Sequence, residues 1–133
     1  MPAYDQLDFL LFSRPGSGDD LYDLYLDLGQ RHYHLEHLDA EMEVMEDPLE
    51  GNLRRSRVNK LRLDFEKLGL LDWPYQKLDE VSARGDWPLI FNFVDDLDDE
   101  EYYCMGDLND PSSLDKLHRL LEEHLGITFG LRG

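Results

Sequence analysis

"LYDLYLDLGQRHYHLEHL", Leu21 to Leu38, is the stretch on which the fold turns. Apolar and polar residues alternate on both sides of Gly29-Gln30, the period-two pattern of strands with one buried face. Gly at the first loop position suits a type II′ two-residue turn, so residues 21–28 and 31–38 are expected to pair antiparallel. Setting Leu28 opposite Arg31 puts Leu26 against Tyr33, Leu24 against Leu35 and Tyr22 against His37 on the core side. The other side then pairs Asp27 with His32, Tyr25 with His34 and Asp23 with Glu36. A slip of one residue would turn each of these side chains to the wrong face, so the hydrophobic pattern fixes the register.

Upstream, "LDFLLF" (7–12) is a short apolar run ahead of the turn signals in "SRPGSGDD", and reads as a buried first strand. Downstream, the acidic connector "DAEMEVMEDPLEGN" leads into "LRRSRVNKLRLDFEKLG". There Val58, Leu61, Phe65 and Leu68 recur at helical spacing, and Gly69 is placed to end the helix. This helix holds six of the thirteen bases: Arg54, Arg55, Arg57, Lys60, Arg62 and Lys67. Its neighbours' charges oppose nucleic-acid binding, and a solvated face that partly neutralises the domain is the simpler reading.

A loop, "DWPYQKLDEVSARGD", precedes two strands, "WPLIFNFV" and "EYYCM", joined by an acidic block. In "DPSSLDKLHRLLEEHLG", Ser112 and Asp115 have capping-box spacing, Leu114, Leu117, Leu121 and Leu125 form an apolar stripe, and Gly126 ends it. The order β-β-β-α-β-β-α lacks alternating βα units. It predicts a single α+β domain over residues 1–133, an antiparallel sheet of about five strands with two helices packed against it.

The 133 residues suffice for one core, and 41% hydrophobic with 11% aromatic residues is a globular composition. Thirty acids against thirteen bases give a formal charge of −17, a self-repulsion that calls for a compensating use. Direct nucleic-acid binding is disfavoured, since phosphates are bound through Lys and Arg. Basic proteins and metal ions become the favoured partners. Cys104 is the single cysteine and cannot form an internal disulfide, which fits a reducing compartment. "MPAYDQLDF" lacks the features of a signal peptide and no apolar run is long enough to span a bilayer, so the expected location is the cytoplasm, away from membranes.

The C-terminal half carries a further pattern: Trp73 and Tyr75, then Gly85 and Trp87 opening a strand, then Gly106 and Pro111 introducing the last helix. Over roughly residues 70–125 this resembles a group of small uncharacterised bacterial and phage proteins. The resemblance implies a βα ending and no particular chemistry. The acid between Asp107 and Asp110 departs from it.

Enzymatic readings find little support. His32, His34 and His37 are close in sequence and imidazoles are common metal ligands. On a strand, however, His32 and His34 share one face and His37 points to the other. A partial metal site on the His32/His34 strand, with Asp27 and Glu36 nearby, is the alternative to exposed cross-strand polar pairs, which are favoured. His118 and His124 read as surface or boundary residues. "DDLDDEE" lacks the Gly and Glu positions of an EF-hand loop. Cys104, embedded in a strand, reads as a small buried hydrophobe. There is no nucleophile elbow, Walker loop or dinucleotide fingerprint, and no cofactor is implied.

The acids themselves are clustered. Asp19 to Glu50 holds eleven acids and one base, and Asp95 to Asp110 holds eight acids and no base. Extended, Asp95 to Glu101 spans about 23 Å, and one DNA strand carries about seven phosphates over that axial length. This matches a non-enzymatic inhibitor that imitates nucleic acid and occupies the basic surface of a nuclease or other nucleic-acid-processing enzyme, as anti-CRISPR and DNA-mimic proteins do. An immunity protein neutralising a basic nuclease toxin is the alternative, beside charge that serves solubility alone. Expected contacts are Asp95, Asp96, Asp98, Asp99, Glu100 and Glu101, then Glu41, Glu43, Glu46 and Asp47. Tyr102 and Tyr103 are candidate aromatic anchors, packing against the sheet being the plainer role for at least one of them.

Overall fold

The hairpin forms in the expected register: Tyr22, Leu24 and Leu26 lie opposite His37, Leu35 and Tyr33, and Asp23, Tyr25 and Asp27 opposite Glu36, His34 and His32. The computed structural model describes residues 4–77, 87–94 and 101–130. Its elements are β1 (Leu7–Pro15), β2 (Leu21–Asp27), β3 (His32–Leu38), β4 (Leu49–Asn52), α1 (Arg55–Leu68), β5 (Tyr75–Lys77), β6 (Leu89–Phe93), β7 (Tyr102–Cys104) and α2 (Ser113–Leu125). Short 3-10 turns occur at Tyr4–Gln6 and Leu70–Asp72. The architecture is α+β, with every strand pair antiparallel in the order β4-β3-β2-β1-β6-β7-β5.

Seven strands stand where about five were expected. The additional ones, β4 and β5, are three or four residues long, and all but two of their residues are exposed. Each lies at a sheet edge and forms by docking its backbone on a strand already in place, so its sequence carries no alternation. The hairpin turn also differs from expectation. Left-handed backbone falls at Arg31, φ 57, rather than at Gly29, and four residues separate the paired Asp27 and His32. Gly29 provides space instead: a Cβ there would lie 2.3 Å from Asp8 Oδ1, while Asp8 O accepts from Leu28 N at 2.8 Å.

Leu10, Phe12, Leu24, Leu26, Leu89 and Phe91 are fully buried on one face of the sheet. Val58, Leu61 and Phe65 of α1 and Leu117 and Leu121 of α2 close over them. Both helices end as expected, on Gly69 (φ 78) and Gly126 (φ 67). The capping box at Ser112 does not form. Asp110 caps the entry instead, its Oδ1 accepting from Ser112 N (3.0 Å) and Ser112 Oγ (2.7 Å). Asp115, the expected box partner, is drawn inward to Arg14 at 2.6 Å. His118 is not a surface residue: it is fully buried, with Nε2 donating to Phe129 O at 2.5 Å. The buried acceptor supplied by the chain beyond α2 explains that, and it is invisible in the helical period. Cys104 is buried, as expected, and burial raises its thiol pKa.

Candidate interaction surface

Beyond Leu38 the chain leaves the sheet and returns as β4, and residues 39–48 form a built loop. Asp39 Oδ1 accepts from the backbone N–H groups of Glu41 at 2.9 Å and Glu43 at 3.0 Å. Asp39 N donates to Glu43 O, and Met42 N to Asp39 O, each at 2.9 Å. These bonds hold Met42 in left-handed backbone, φ 64, a conformation that side-chain-bearing residues adopt infrequently. Leu38 bridges to Val44, and Met45 N donates to His37 O at 2.8 Å, which ties the loop to β3.

Every residue from 41 to 50 is exposed. Met42, Val44, Met45 and Leu49 each leave about half of their surface to solvent (49–54%). They are interspersed with Glu41, Glu43, Glu46, Asp47 and Glu50. The four expected acidic contacts Glu41, Glu43, Glu46 and Asp47 thus sit together on one loop, with apolar side chains between them that the sequence analysis did not single out. The signal was present in "EMEVMED", whose charge obscured the apolar residues between the acids.

His37 fastens this loop to the rest of the fold. Its ring stacks on Tyr22 at 4.0 Å between centroids, 8° from parallel. Nε2 donates to Asp20 Oδ2 at 2.5 Å and Nδ1 to Glu46 Oε1 at 2.9 Å. Carboxylates only accept, so both ring nitrogens carry protons when both bonds are made. The Asp20 hydrogen bond first, and then that of Glu46, raises the His37 pKa above its ordinary value. The same bond holds the Asp20 carboxyl below the usual range. Beside the clamp a cavity of about 260 Å³ opens, lined by Tyr22, Leu35, Leu49, His37, Glu46 and Asp47 with Thr128. Its lining thus combines apolar side chains with two carboxylates.

On the opposite sheet face, His34 stands between Glu36 (Nε2, 2.9 Å) and Glu50 (Nδ1, 2.9 Å). Burial lowers its pKa, but the two carboxylates outweigh that and the net shift is upward. His32 Nδ1 meets Asn52 Oδ1 at 3.2 Å. His32 and His34 therefore form cross-strand polar pairs, and His37 points the other way, as the register requires. No group of three or more His, Cys, Asp or Glu among the described residues is placed to hold a metal ion.

The second acidic cluster is only partly described: Asp95, Asp96, Asp98, Asp99 and Glu100 lie outside the described residues, and Glu101 lies within them. Tyr102 packs its ring against Tyr75 and Phe93. Tyr103 stacks on Trp87 at 4.0 Å and donates to Gln76 Oε1 at 2.8 Å. Both rings thus have partners on the sheet, on opposite faces. Phe93, which precedes the cluster, pairs with Leu7 at the Asp27–His32 end of the sheet. Residues 39–48 depart from the other end, beside β4. Phe93 and the start of residues 39–48 therefore lie at opposite ends of the sheet.

No helix of the described residues is long and apolar enough to cross a membrane. Compared with family models, with curated proteins and with solved structures, the chain matches none.

Proposed function

We propose that this protein is a non-enzymatic inhibitor that binds the basic nucleic-acid-binding surface of a nuclease or other nucleic-acid-processing enzyme, with residues 41–50 as its principal contact. The observation that carries this reading is the exposure of Met42, Val44 and Met45 among Glu41, Glu43, Glu46 and Asp47 on one loop, with Leu49 beside them at the start of β4. Charge kept only for solubility does not require half-exposed apolar side chains between the charges, whereas an interface does. The carboxylates attract a cationic partner from a distance and speed association. The methionines then adapt to its surface through their flexible thioethers. A Lys or Arg of the partner fits the adjoining cavity, its stem along Tyr22, Leu35 and Leu49 and its charged head toward Glu46 and Asp47.

The test is to capture the partner from host lysate at low salt and then measure its nucleic-acid binding as this protein is added. Displacement of the nucleic acid, weakening as salt is raised, supports the reading. A partner whose nucleic-acid binding and activity are unaffected overturns it. If the captured enzyme is a toxin encoded beside this chain, the same surface serves immunity.

A further inference from the structure

A second cavity, of about 380 Å³, lies on the far side of the hairpin turn between that turn and α1. Leu28, Gly29 and Arg31 line it from the turn, and Arg55, Val58, Asn59 and Arg62 from the helix. Arg55, Asn59 and Arg62 are spaced i, i+4, i+7 and so occupy one helical face. The chain has thirteen bases for thirty acids, yet three arginines line this one cavity. Among the described residues none of the three lies within ion-pair distance of a carboxylate, the arginine pair being Arg14–Asp115. Arg62 is within electrostatic reach of the Asp8 carboxylate, and Arg31 and Arg55 are exposed.

The Arg31 backbone and the Arg62 side chain are held in place. Arg31 keeps left-handed backbone, φ 57, and its carbonyl accepts from Leu53 N at 2.7 Å. Arg62 donates from Nη2 to Leu7 O at 2.9 Å, and its buried Nε has no partner. Arg55 opens a helix whose first turn holds no acid and whose N-cap makes no side-chain bond, so the helix dipole adds to the positive potential.

We infer that this arginine-lined cavity is a binding site for a small phosphate monoester, its phosphate on Arg31, Arg55 and Arg62 and its organic part against Leu28 and Val58. Planar guanidinium forks match the oxygen spacing of phosphate and bind it through paired hydrogen bonds. The cavity exceeds the volume a bare phosphate needs, which favours the ester over the free ion. A long polyanion is disfavoured, because its further phosphates would meet a protein of net charge −17 and the nearby carboxylates of Asp8 and Asp27, both close to Gly29 at the cavity wall.

The experiment is calorimetric titration at constant ionic strength with three probes: inorganic phosphate, glycerol phosphate and a single-stranded oligonucleotide. Arg55→Gln and Arg31→Asn remove cavity arginines at exposed positions, Asn being tolerant of left-handed backbone. Lys60→Gln makes the same charge change outside the cavity. The expected result is saturable binding of glycerol phosphate, tighter than that of inorganic phosphate. It should weaken about tenfold or more in each arginine variant, as for loss of a charge-assisted pair, and stay within about twofold in Lys60→Gln. Circular dichroism of each variant confirms folding. The inference is overturned by absence of phosphate binding in the wild type, by equal losses in Lys60→Gln and Arg55→Gln, by tighter binding of inorganic phosphate, or by an oligonucleotide that binds more tightly than either.

Discussion

His37 is the residue at which fold and proposed function meet, since one ring joins β3, the turn before β2 and the exposed loop. Its raised folded pKa means that its contribution to stability is complete below about pH 6.5, the ordinary histidine value, and is lost as pH rises through the higher folded value. Asp20 has the opposite sign. Its folded pKa is depressed, so its contribution is present above the ordinary 3.8 and is lost as pH falls through the lower folded value. The clamp is therefore strongest between about pH 4 and 6.5. Thermal unfolding followed across pH should show wild type losing more stability than His37→Gln as pH rises above that window; parallel curves would remove His37 as the source. Gly16 adds a neighbouring check, because a Cβ there would fall 1.9 Å from Asp20 Oδ2. In Gly16→Ala the Asp20 carboxylate must turn aside, and the His37 pKa, read by NMR titration, should fall toward its ordinary value.

At the level of elements, the sequence was most legible where a period met a solid core. The β2–β3 register followed from alternation alone, because Leu24, Leu26 and Leu35 must all face one way. Likewise Val58, Leu61 and Phe65 marked the buried face of α1. Phe65→Ala should cost about 3–5 kcal/mol in denaturant unfolding, since Phe65 is fully buried. What alternation cannot express was missed: β4 and β5 exist through backbone pairing, and the entry to α2 is organised by Asp110 outside the helix. The Lys116 ammonium first, and then the bonds from Ser112, hold the Asp110 carboxyl at about 2. Its contribution should thus persist above pH 3.8 and disappear as pH falls toward 2. Asp110→Asn should lower the melting temperature at neutral pH and leave it nearly unchanged at pH 2; an equal loss at both would assign the effect to something other than charge.

At the scale of the whole molecule, two local groupings of charge lie apart from each other among the described residues. Acids and half-exposed apolar side chains share residues 41–50, the loop and the start of β4, while Arg31, Arg55 and Arg62 line a cavity beyond the hairpin turn. The candidate loop acids were legible in sequence because clustering is a one-dimensional property. Their apolar neighbours, the His37 clamp and the arginine cavity were not, because each depends on residues brought together from separate elements. The central claim is that the loop acids and methionines contact a cationic partner. Its most direct measurement is the affinity of the captured partner for wild type and for Glu41→Lys/Glu43→Lys, across a range of salt. The loop account predicts a folded variant that binds at least about tenfold more weakly, with a shallower salt dependence. Unchanged affinity and unchanged salt dependence in that folded variant would contradict it.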